Sequence, residues 1–402
     1  IQIAGTNGKT STSRLIEAIL RTYGLRTGLF TSPHLISFNE RIQIDGEPIA
    51  NDKLVENWLD IKPYVEMVDG ELIAKGEARL TYFEVLTILA FASFADAPVD
   101  VAVVEVGLGG EWDSTNVADA VVAVFTPIGL DHTDRLGKTI DAIARTKSGI
   151  IKPSAIVVSA QQTAEAAAVL VEATALTESV LVVVGEDVKL NTSVAVGGQM
   201  ISVSGTAGEY SDIFLGLYGK HQAQNAALAI AAVESFLGGS SISLDPEVLT
   251  EAFASVESPG RLQLVAKHPS VLVDAAHNPH GAQALAEALD SFFSFDEVVL
   301  VFSALADKDA EGILREIGPH VTSVIVTTVN SPRATDVAEL ARVAGSVVGA
   351  ENVEIIPDSA VAVAAARARV ADSDRGAVLV AGSIVLVGEV MAQAEKTKGW
   401  TK

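Results

Sequence analysis

A glycine-rich segment near the start of the chain has the residue types that bind phosphate. Residues 5–10 read GTNGKT, between a short apolar run and a stretch whose apolar residues have helical spacing. Glycines let backbone N–H groups turn towards a phosphate, the start of a helix adds partial positive charge, and Lys9 adds a full charge. We therefore predict a nucleotide-phosphate site made by Gly5, Thr6, Asn7, Gly8, Lys9, Thr10 and Ser11.

The spacing of this nucleotide loop departs from the usual phosphate-loop pattern. That pattern has a glycine five residues before the second glycine, where this chain has Ile3, and here Gly5 stands three residues before Gly8. The lysine and threonine that follow, with a strand before and a helix after, favour a nucleotide loop over a chance turn.

Two side chains that could hold a metal ion follow predicted strands. Glu105 ends the apolar run 99–106, and His132 follows the run 120–126. Continuous apolar runs indicate parallel strands covered on both faces, and the carboxyl ends of such strands meet at one edge of a sheet. A glutamate there suits Mg²⁺, whereas histidine is an unusual Mg²⁺ ligand and a lone histidine is more often structural. Lys147 lies in the last turns of a predicted helix, where a cation also suits the helix dipole.

A framework of alternating strands and helices must position these residues. The sequence predicts strands at 1–4 and 155–159, a long irregular loop at 31–48 and a small antiparallel patch at 186–208. Predicted helices cover 11–23, 81–95, 141–152 and 222–236.

The pattern restarts after residues 258–261 (SPGR) as a regular strand–helix alternation. We predict strands at 271–274, 298–302, 324–329, 353–356 and 378–381, separated by helices at 280–289, 335–347 and 359–370. The predicted class is α/β: a P-loop ATP-binding domain with a mostly parallel sheet at 1–262, and a smaller Rossmann-like, doubly wound domain at 263–402.

Composition excludes several classes of function. The 402 residues carry a net charge of −23, which disfavours nucleic acid and anionic membranes as partners. The chain has no apolar run of roughly 18 residues, the length that spans a membrane. It has no cysteine, which excludes disulfides, thiolate metal sites and a cysteine nucleophile and fits a cytoplasmic protein. Since Ile1 lies within a predicted strand, we expect residues to precede it in the full protein.

An ordered series of segments resembles one enzyme family. AGTNGKTST, TSPHL, NERI, VEVGLGGEWDSTN, GLDHTDRLG, ARTKSGIIK, GKHQAQNAALA, PGRLQ, DAAHNPHG and GSIVLVGEV follow one another across residues 4–390. In this order they resemble folylpolyglutamate synthase of the Mur-ligase superfamily, including the bacterial form that is also a dihydrofolate synthase. Two departures, GKTST for the more frequent GKGST and ARTKSG for AREKAG, remove no proposed ligand.

The resemblance implies roles for individual residues. Ser32, Glu105 and His132 match Mg²⁺ ligands, and Lys147 matches a lysine that the family carbamoylates with CO₂, which would help to hold a second Mg²⁺. Asn225 and Arg261 match ATP contacts, and His221 lies in the same segment as Asn225. The remaining matches concern the other substrates. Asp274, His277 and Ser383 match positions linked to glutamate, and the loop from Thr31 matches the loop that lines the folate site. Phe38 is a candidate aromatic contact of the pterin, although a core role for Phe38 is equally consistent.

The implied activity is amide-bond formation driven by ATP. A carboxylate phosphorylated by ATP becomes an acyl phosphate, which the amine of L-glutamate attacks to give an amide, ADP and phosphate. The implied substrate is a reduced folate, which reacts through its γ-carboxylate. The implied catalytic residues are Lys9, Lys147, Asp274 and His277. The expected cofactors are Mg²⁺ in two sites, the Lys147 carbamate and K⁺. The expected state is a cytoplasmic monomer acting on small molecules.

Alternatives remain beside this hypothesis. Dihydropteroate could be a second substrate, and the sequence favours neither form. A Mur-type ligase acting on cell-wall precursors shares GTNGKT, although TSPHL and DAAHNPHG argue against it. A P-loop NTPase or kinase without ligase activity would share only the nucleotide loop. A nucleotide-binding protein without activity is disfavoured by the intact site residues Lys9, Ser32, Glu105, His132 and Lys147.

Overall fold

The computed structural model describes residues 1–239 and 241–397. The chain divides into two compact units. The first contains Ile1–Ser193, Gln199–Gly216 and Gln222–Val256, and the second contains two short segments, Val194–Gly198 and Leu217–His221, and the chain from Glu257 onward. Residues 257–262 belong to the second unit, whereas the sequence-based division assigns them to the first. Residues 398–402 of the expected second domain lie outside the described residues.

An eight-stranded, mostly parallel sheet forms the centre of the first unit. Its strands in chain order are β1 (Gln2–Ala4), β2 (Thr27–Phe30), β3 (Ile42–Ile44), β4 (Glu47–Pro48), β5 (Val101–Glu105), β6 (Val122–Phe125), β7 (Ile156–Ser159) and β8 (Val180–Val183). The spatial order is β4-β3-β2-β5-β1-β6-β7-β8, with β3 and β4 antiparallel at one edge. The central strands β1 and β6 are buried along their whole length, as their continuous apolar sequences predict.

Among the described residues, the helices that belong mainly to this part of the chain are α1 (Lys9–Thr22), α2 (Asn51–Ala74), α3 (Tyr82–Asp96), α4 (Thr133–Leu136), α5 (Ile140–Ser148), α6 (Ala164–Leu176), α7 (Lys220–Gly238) and α8 (Pro246–Ser255). The predicted helix at 141–152 ends earlier, because Gly149 is the C-cap of α5. Sequence reasoning did not assign α2, in which only Asn57, Ile61 and Val65 are buried and which contains Pro63. A face so narrowly apolar gives a weak helical period.

The predicted irregular loop at 31–48 is more regular than expected. It contains β3, β4 and a 3₁₀ turn at Phe38–Arg41. A capping box begins this turn: the Ser37 side chain accepts from the Asn39 N–H, and the Glu40 carboxylate accepts from the Ser37 N–H at 2.6 Å. Glu40 also accepts from the N–H groups of Leu35 and Ile36, so one acid holds three consecutive backbone N–H groups of the loop.

The predicted antiparallel patch is a three-stranded sheet of β9 (Lys189–Ala195), β10 (Gly198–Ser204) and β11 (Glu209–Leu215). A buried carboxylate links it to α7. Glu234 accepts from the Tyr210 hydroxyl at 2.6 Å and from the N–H and hydroxyl of Thr206. This link holds α7, the helix that carries Asn225, against the sheet.

The second unit contains a six-stranded sheet in the order β12-β13-β17-β14-β15-β16. Its strands are β12 (Gln263–Lys267), β13 (Ser270–Val273), β14 (Glu297–Phe302), β15 (Ser323–Val326), β16 (Val353–Ile355) and β17 (Gly376–Ala381), and its helices are α9 (Pro279–Phe292), α10 (Ala310–Ile317), α11 (Val337–Val348), α12 (Ser359–Arg369) and α13 (Ile384–Thr397). All pairs are parallel except β12 with β13. The five predicted strands are present, and the edge strand β12 and helices α10 and α13 were not assigned from sequence.

The carboxyl ends of β1, β5 and β6 lie side by side in the first unit and carry the residues singled out by sequence. Open parallel sheets bind ligands at this edge. In the part of the chain that the structure describes, no helix is long and apolar enough to cross a membrane.

Candidate active site

The nucleotide loop turns tightly between β1 and α1. Gly8 precedes the helix with φ 89°, a left-handed conformation that favours glycine. A Cβ atom there would lie 2.7 Å from the Asn225 side-chain oxygen. On the other side, Thr6 exchanges hydrogen bonds with Gly129 through its hydroxyl, at 3.1 and 3.0 Å. The loop is therefore fixed between α7 and the segment that follows β6.

Two lysine ammonium groups converge on one carbonyl of this loop. Lys9 donates to the Gly5 and Thr6 carbonyl oxygens, both at 3.2 Å, and Lys147 donates to the Gly5 oxygen at 2.9 Å. Lys147 is only 5% exposed. Burial first, and then the nearby charge of Lys9, lower the pKa of Lys147 to about 7. A pair of basic groups is thus held where a phosphate chain would meet the loop.

Glu105 ends β5 beside the same loop, with 2% exposure. Its carboxylate accepts from the Thr10 hydroxyl at 2.9 and 3.1 Å and from the Ser32 N–H at 3.3 Å. The structure therefore brings together Glu105, Thr10 and Ser32. The Glu105 carboxylate and the Thr10 hydroxyl are oxygen donors of the kind that Mg²⁺ prefers, and the Ser32 backbone adjoins them, so these residues fit the expected ion.

His132 lies at the start of α4, in a left-handed conformation with φ 50°. Its Nε2 is 3.8 Å from the Asp131 carboxylate, and its side chain is 43% exposed. Among residues 1–239 and 241–397, no group of three histidine or acidic side chains is arranged to hold a metal. A joint role of His132 and Glu105 stays a prediction.

Sequence reasoning missed one polar contact of the loop. Gln222, buried on α7, accepts from the Asn225 amide at 3.1 Å and donates to the Ser11 hydroxyl at 3.5 Å. The two predicted nucleotide residues Ser11 and Asn225 are therefore joined through Gln222. Its place in the segment GKHQAQN, three residues before Asn225 on one helical face, is the signal that could have found it.

The predicted Phe38 lies in an aromatic cluster on the loop from Thr31. Its ring meets those of His34 and Tyr82 edge to face, each with centroids 6.3 Å apart. Arg41 lies over the Tyr82 ring at 5.7 Å and donates to His34 Nδ1 at 2.8 Å. Tyr82 is 60% exposed and was not singled out from sequence. A half-buried Phe38 ring and an exposed Tyr82 ring beside a guanidinium suit a flat, polar heterocycle.

In the second unit, Asp274 follows β13 and is buried. Its two carboxylate oxygens accept from the N–H groups of Leu262 and Ala276, both at 2.7 Å. Burial raises the pKa of Asp274, while the Arg261 guanidinium and these two hydrogen bonds oppose that rise. Asp274 thereby ties the segment carrying Arg261 to the segment that leads to His277.

The other predicted residues of this unit are His277, Ser383 and His221. His277 Nδ1 lies 2.9 Å from the Ala275 carbonyl oxygen, and the Ser383 hydroxyl accepts from the Val385 N–H as α13 begins. Burial, with the charges of Arg261 and His280 as further causes, lowers the pKa of His221 to about 4. His221 is therefore neutral at neutral pH.

Comparison with known proteins places this geometry in a family. The Mur ligase middle domain matches residues 3–233, and the Mur ligase glutamate ligase domain matches residues 260–384. A Mycobacterium tuberculosis protein named dihydrofolate synthase/folylpolyglutamate synthase is 45% identical, across 96% of this chain and 84% of its own length.

The chain belongs to the folylpolyglutamate synthase family of Mur ligases.

Solved structures of this family share the fold. Mycobacterium tuberculosis folylpolyglutamate synthase, complexed with ADP and AMPPCP, superimposes with a TM-score of 0.94 at 44% identity, covering 98% of this chain and 90% of that one. E. coli FolC in complex with DHPP and ADP has a TM-score of 0.84 at 31% identity, covering 99% and 89%. The predicted α/β class and the resemblance to this ligase family are confirmed.

The left-handed turn at Gly8 generates a prediction. In Gly8→Ala, the backbone strain and the approach to Asn225 should weaken ADP binding about tenfold or more. Gly76→Ala is the matched control, because Gly76 is also left-handed, with φ 75°, but has no atoms within 4 Å of the added carbon. Calorimetric titration with MgADP measures both, and equal affinities for the two variants would contradict the role of Gly8.

Proposed function

We propose that this chain joins L-glutamate to the γ-carboxylate of tetrahydrofolate in an ADP-forming reaction. The observation that carries the proposal is the nucleotide loop itself, where two lysine ammonium groups and the Glu105 carboxylate lie around Gly5 and Thr10. Relatives that match 83% to 96% of the chain are named folylpolyglutamate synthase or dihydrofolate synthase/folylpolyglutamate synthase, which favours folate over a cell-wall precursor.

Amide formation requires a better leaving group than oxide. Transfer of the γ-phosphoryl group of ATP to the folate carboxylate gives an acyl phosphate and ADP. The glutamate amine then attacks the carbonyl carbon, the C–O bond to phosphate breaks, and the amine loses a proton as the amide forms. Catalysis of the first step rests on positioning and on charge stabilisation.

The predicted site residues have distinct roles in this proposal. Backbone N–H groups of the nucleotide loop and the ammonium of Lys9 bind the phosphates, and Asn225 and Arg261 bind other parts of ATP. Glu105, Ser32 and His132 would hold Mg²⁺, which neutralises phosphate charge when bound. Phe38 and its aromatic neighbours would hold the pterin, and Asp274, His277 and Ser383 would position glutamate, with Asp274 acting through the backbone it fixes.

Lys147 is the expected site of the carbamate. A carbamate forms when a neutral amine attacks CO₂, and a lysine whose pKa is lowered to about 7 by burial has a substantial neutral fraction at neutral pH. The product would be an anion able to help hold a second Mg²⁺. The expected K⁺ ion stays a prediction.

The substrate requirement tests the proposal. With Mg²⁺ and ATP, we expect ADP release only when a pterin substrate and glutamate are both present. Five mixtures give the result: no addition, glutamate alone, tetrahydrofolate alone, tetrahydrofolate with glutamate, and dihydropteroate with glutamate. Turnover with dihydropteroate as well would establish the second activity that the relatives' names favour. ADP release without glutamate would indicate a kinase or NTPase. No ADP release in any mixture would overturn the folate assignment.

Replacement of Lys147 tests the carbamate. Lys147→Ala should lower the rate by about a hundredfold, the upper range for loss of a group that tunes a metal site. Added formate or acetate should restore part of the rate by supplying a carboxylate. Lys138→Ala, an exposed lysine two residues before α5, is the control and should behave as wild type. A Lys147→Ala enzyme with wild-type rate would remove the carbamate from the mechanism.

A further inference from the structure

The end of α5 must hold Lys147 in one place. The helix has nine residues, and Lys147 is the last but one. Helix ends fray and short helices depend on tertiary contacts for their order. Even so, the Lys147 ammonium reaches the Gly5 carbonyl at 2.9 Å and is buried. Contacts from outside the helix must therefore fix its last turn.

Part of that support is direct contact between two backbones. The Glu111 N–H donates to the Thr146 carbonyl at 2.8 Å. A Cβ atom on Gly110 would lie 2.7 Å from the carbonyl oxygens of both Thr146 and Lys147, and one on Gly149 would lie 2.5 Å from the Glu111 Cβ. The loop after β5 therefore packs on the last turn of α5 at a separation that only glycine allows.

One amide side chain bridges the two segments. Asn116 Nδ2 donates to the Glu111 carbonyl at 3.0 Å and to the Gly149 carbonyl at 3.1 Å. The Gly149 carbonyl lies at the helix end, where carbonyl groups have no partner within the helix. Asn116 thus joins the loop to the residue that caps α5.

Lys152 completes the connection. Its ammonium donates to the Asn116 carbonyl at 2.8 Å and to Asn116 Oδ1 at 3.0 Å. With Oδ1 accepting from Lys152, the Asn116 amide is oriented so that Nδ2 faces the two carbonyls. A cation beyond the end of α5 also suits the helix dipole.

The same short segment is tied to the strand that leads into the nucleotide loop. Asn116 lies in a 3₁₀ turn, Ser114–Val117, whose Thr115 hydroxyl accepts from the buried Gln2 amide at 3.1 Å. Gln2 lies on β1, three residues before Gly5. The turn therefore contacts both the strand that positions Gly5 and the helix end that carries Lys147.

We propose that Asn116 and Lys152 are positioning residues that set where the Lys147 side chain meets the nucleotide loop. Neither touches the reacting atoms; together they hold the last turn of α5 against the loop after β5. The inference rests on the proposed function, since it assigns these residues to the carbamate-bearing lysine. Without them, Lys147 has more freedom, and both formation of the carbamate and its use are impaired.

The test measures the carbamate directly as well as turnover. Enzyme equilibrated with carbon-13 bicarbonate gives a carbamate signal by NMR, assigned to Lys147 by its loss in Lys147→Ala. In Asn116→Ala and Lys152→Met, we expect a weaker signal at equal bicarbonate and a kcat lowered about tenfold or more, as for removal of an outer-shell partner of a metal ligand. KM for ATP should stay within about twofold, because the loop contacts to phosphate remain. Lys152→Arg keeps a donor cation and should retain most of the carbamate signal and most of kcat.

Asn352→Ala is the matched control. The Asn352 amide donates to the Val348 carbonyl at the end of α11, so it resembles Asn116 but belongs to the second unit. Thermal melting verifies that each variant folds. Wild-type signal and kcat in either folded variant, an equal loss in Asn352→Ala, or a wild type without any carbamate signal would overturn the inference. If wild type carries the carbamate but lacks folate-dependent ADP release, the proposed function fails, whereas loss of the signal in the two variants would still support the positioning role.

Discussion

The buried carboxylate of Glu105 is the constraint on which the site depends. An ionised carboxylate removed from water is costly unless it is hydrogen-bonded or paired. Here Thr10 and the Ser32 backbone supply the hydrogen bonds, and Arg41 lies close enough for its charge to interact with that of Glu105. Since these partners come from α1 and from the loop after β2, the hydrogen bonds to Glu105 hold both segments at the carboxyl end of β5.

Positive charge is concentrated beside this acid, in a chain whose net charge is −23. A protein with this negative net charge repels an anionic nucleotide, so the site must be locally basic for phosphate to bind. Lys9 and Lys147 meet this need by sharing the Gly5 carbonyl, and their proximity is part of the reason that the pKa of Lys147 is low. The same arrangement that attracts phosphate therefore keeps part of the Lys147 amine uncharged at neutral pH, the state in which it can react with CO₂.

Much of this could be read from the sequence, because the signals are local. The strand–loop–helix pattern around GTNGKT and the apolar run ending in Glu105 each follow from residue order alone. The contacts of Gln222 with Ser11 and of Thr115 with Gln2 join residues more than a hundred positions apart, and no local pattern encodes them.

Helix α2 was not predicted for another reason: its apolar face is narrow, and its exposed side includes Leu59, Tyr64 and Met67. The role of Asp274 likewise needed the structure, since only there does its carboxylate prove to be engaged by two backbone N–H groups.

We propose that the γ-phosphoryl group of ATP, bound at the nucleotide loop, passes to a folate carboxylate before the amide forms. The most direct measurement uses tetrahydrofolate whose γ-carboxylate is labelled with oxygen-18, with ATP, Mg²⁺ and L-glutamate, and determines the label in the released phosphate by mass spectrometry. Because the carboxylate oxygen that accepts the phosphoryl group leaves with it, we expect each turnover to transfer one labelled oxygen to phosphate. Amide formation with unlabelled phosphate would contradict an acyl-phosphate route.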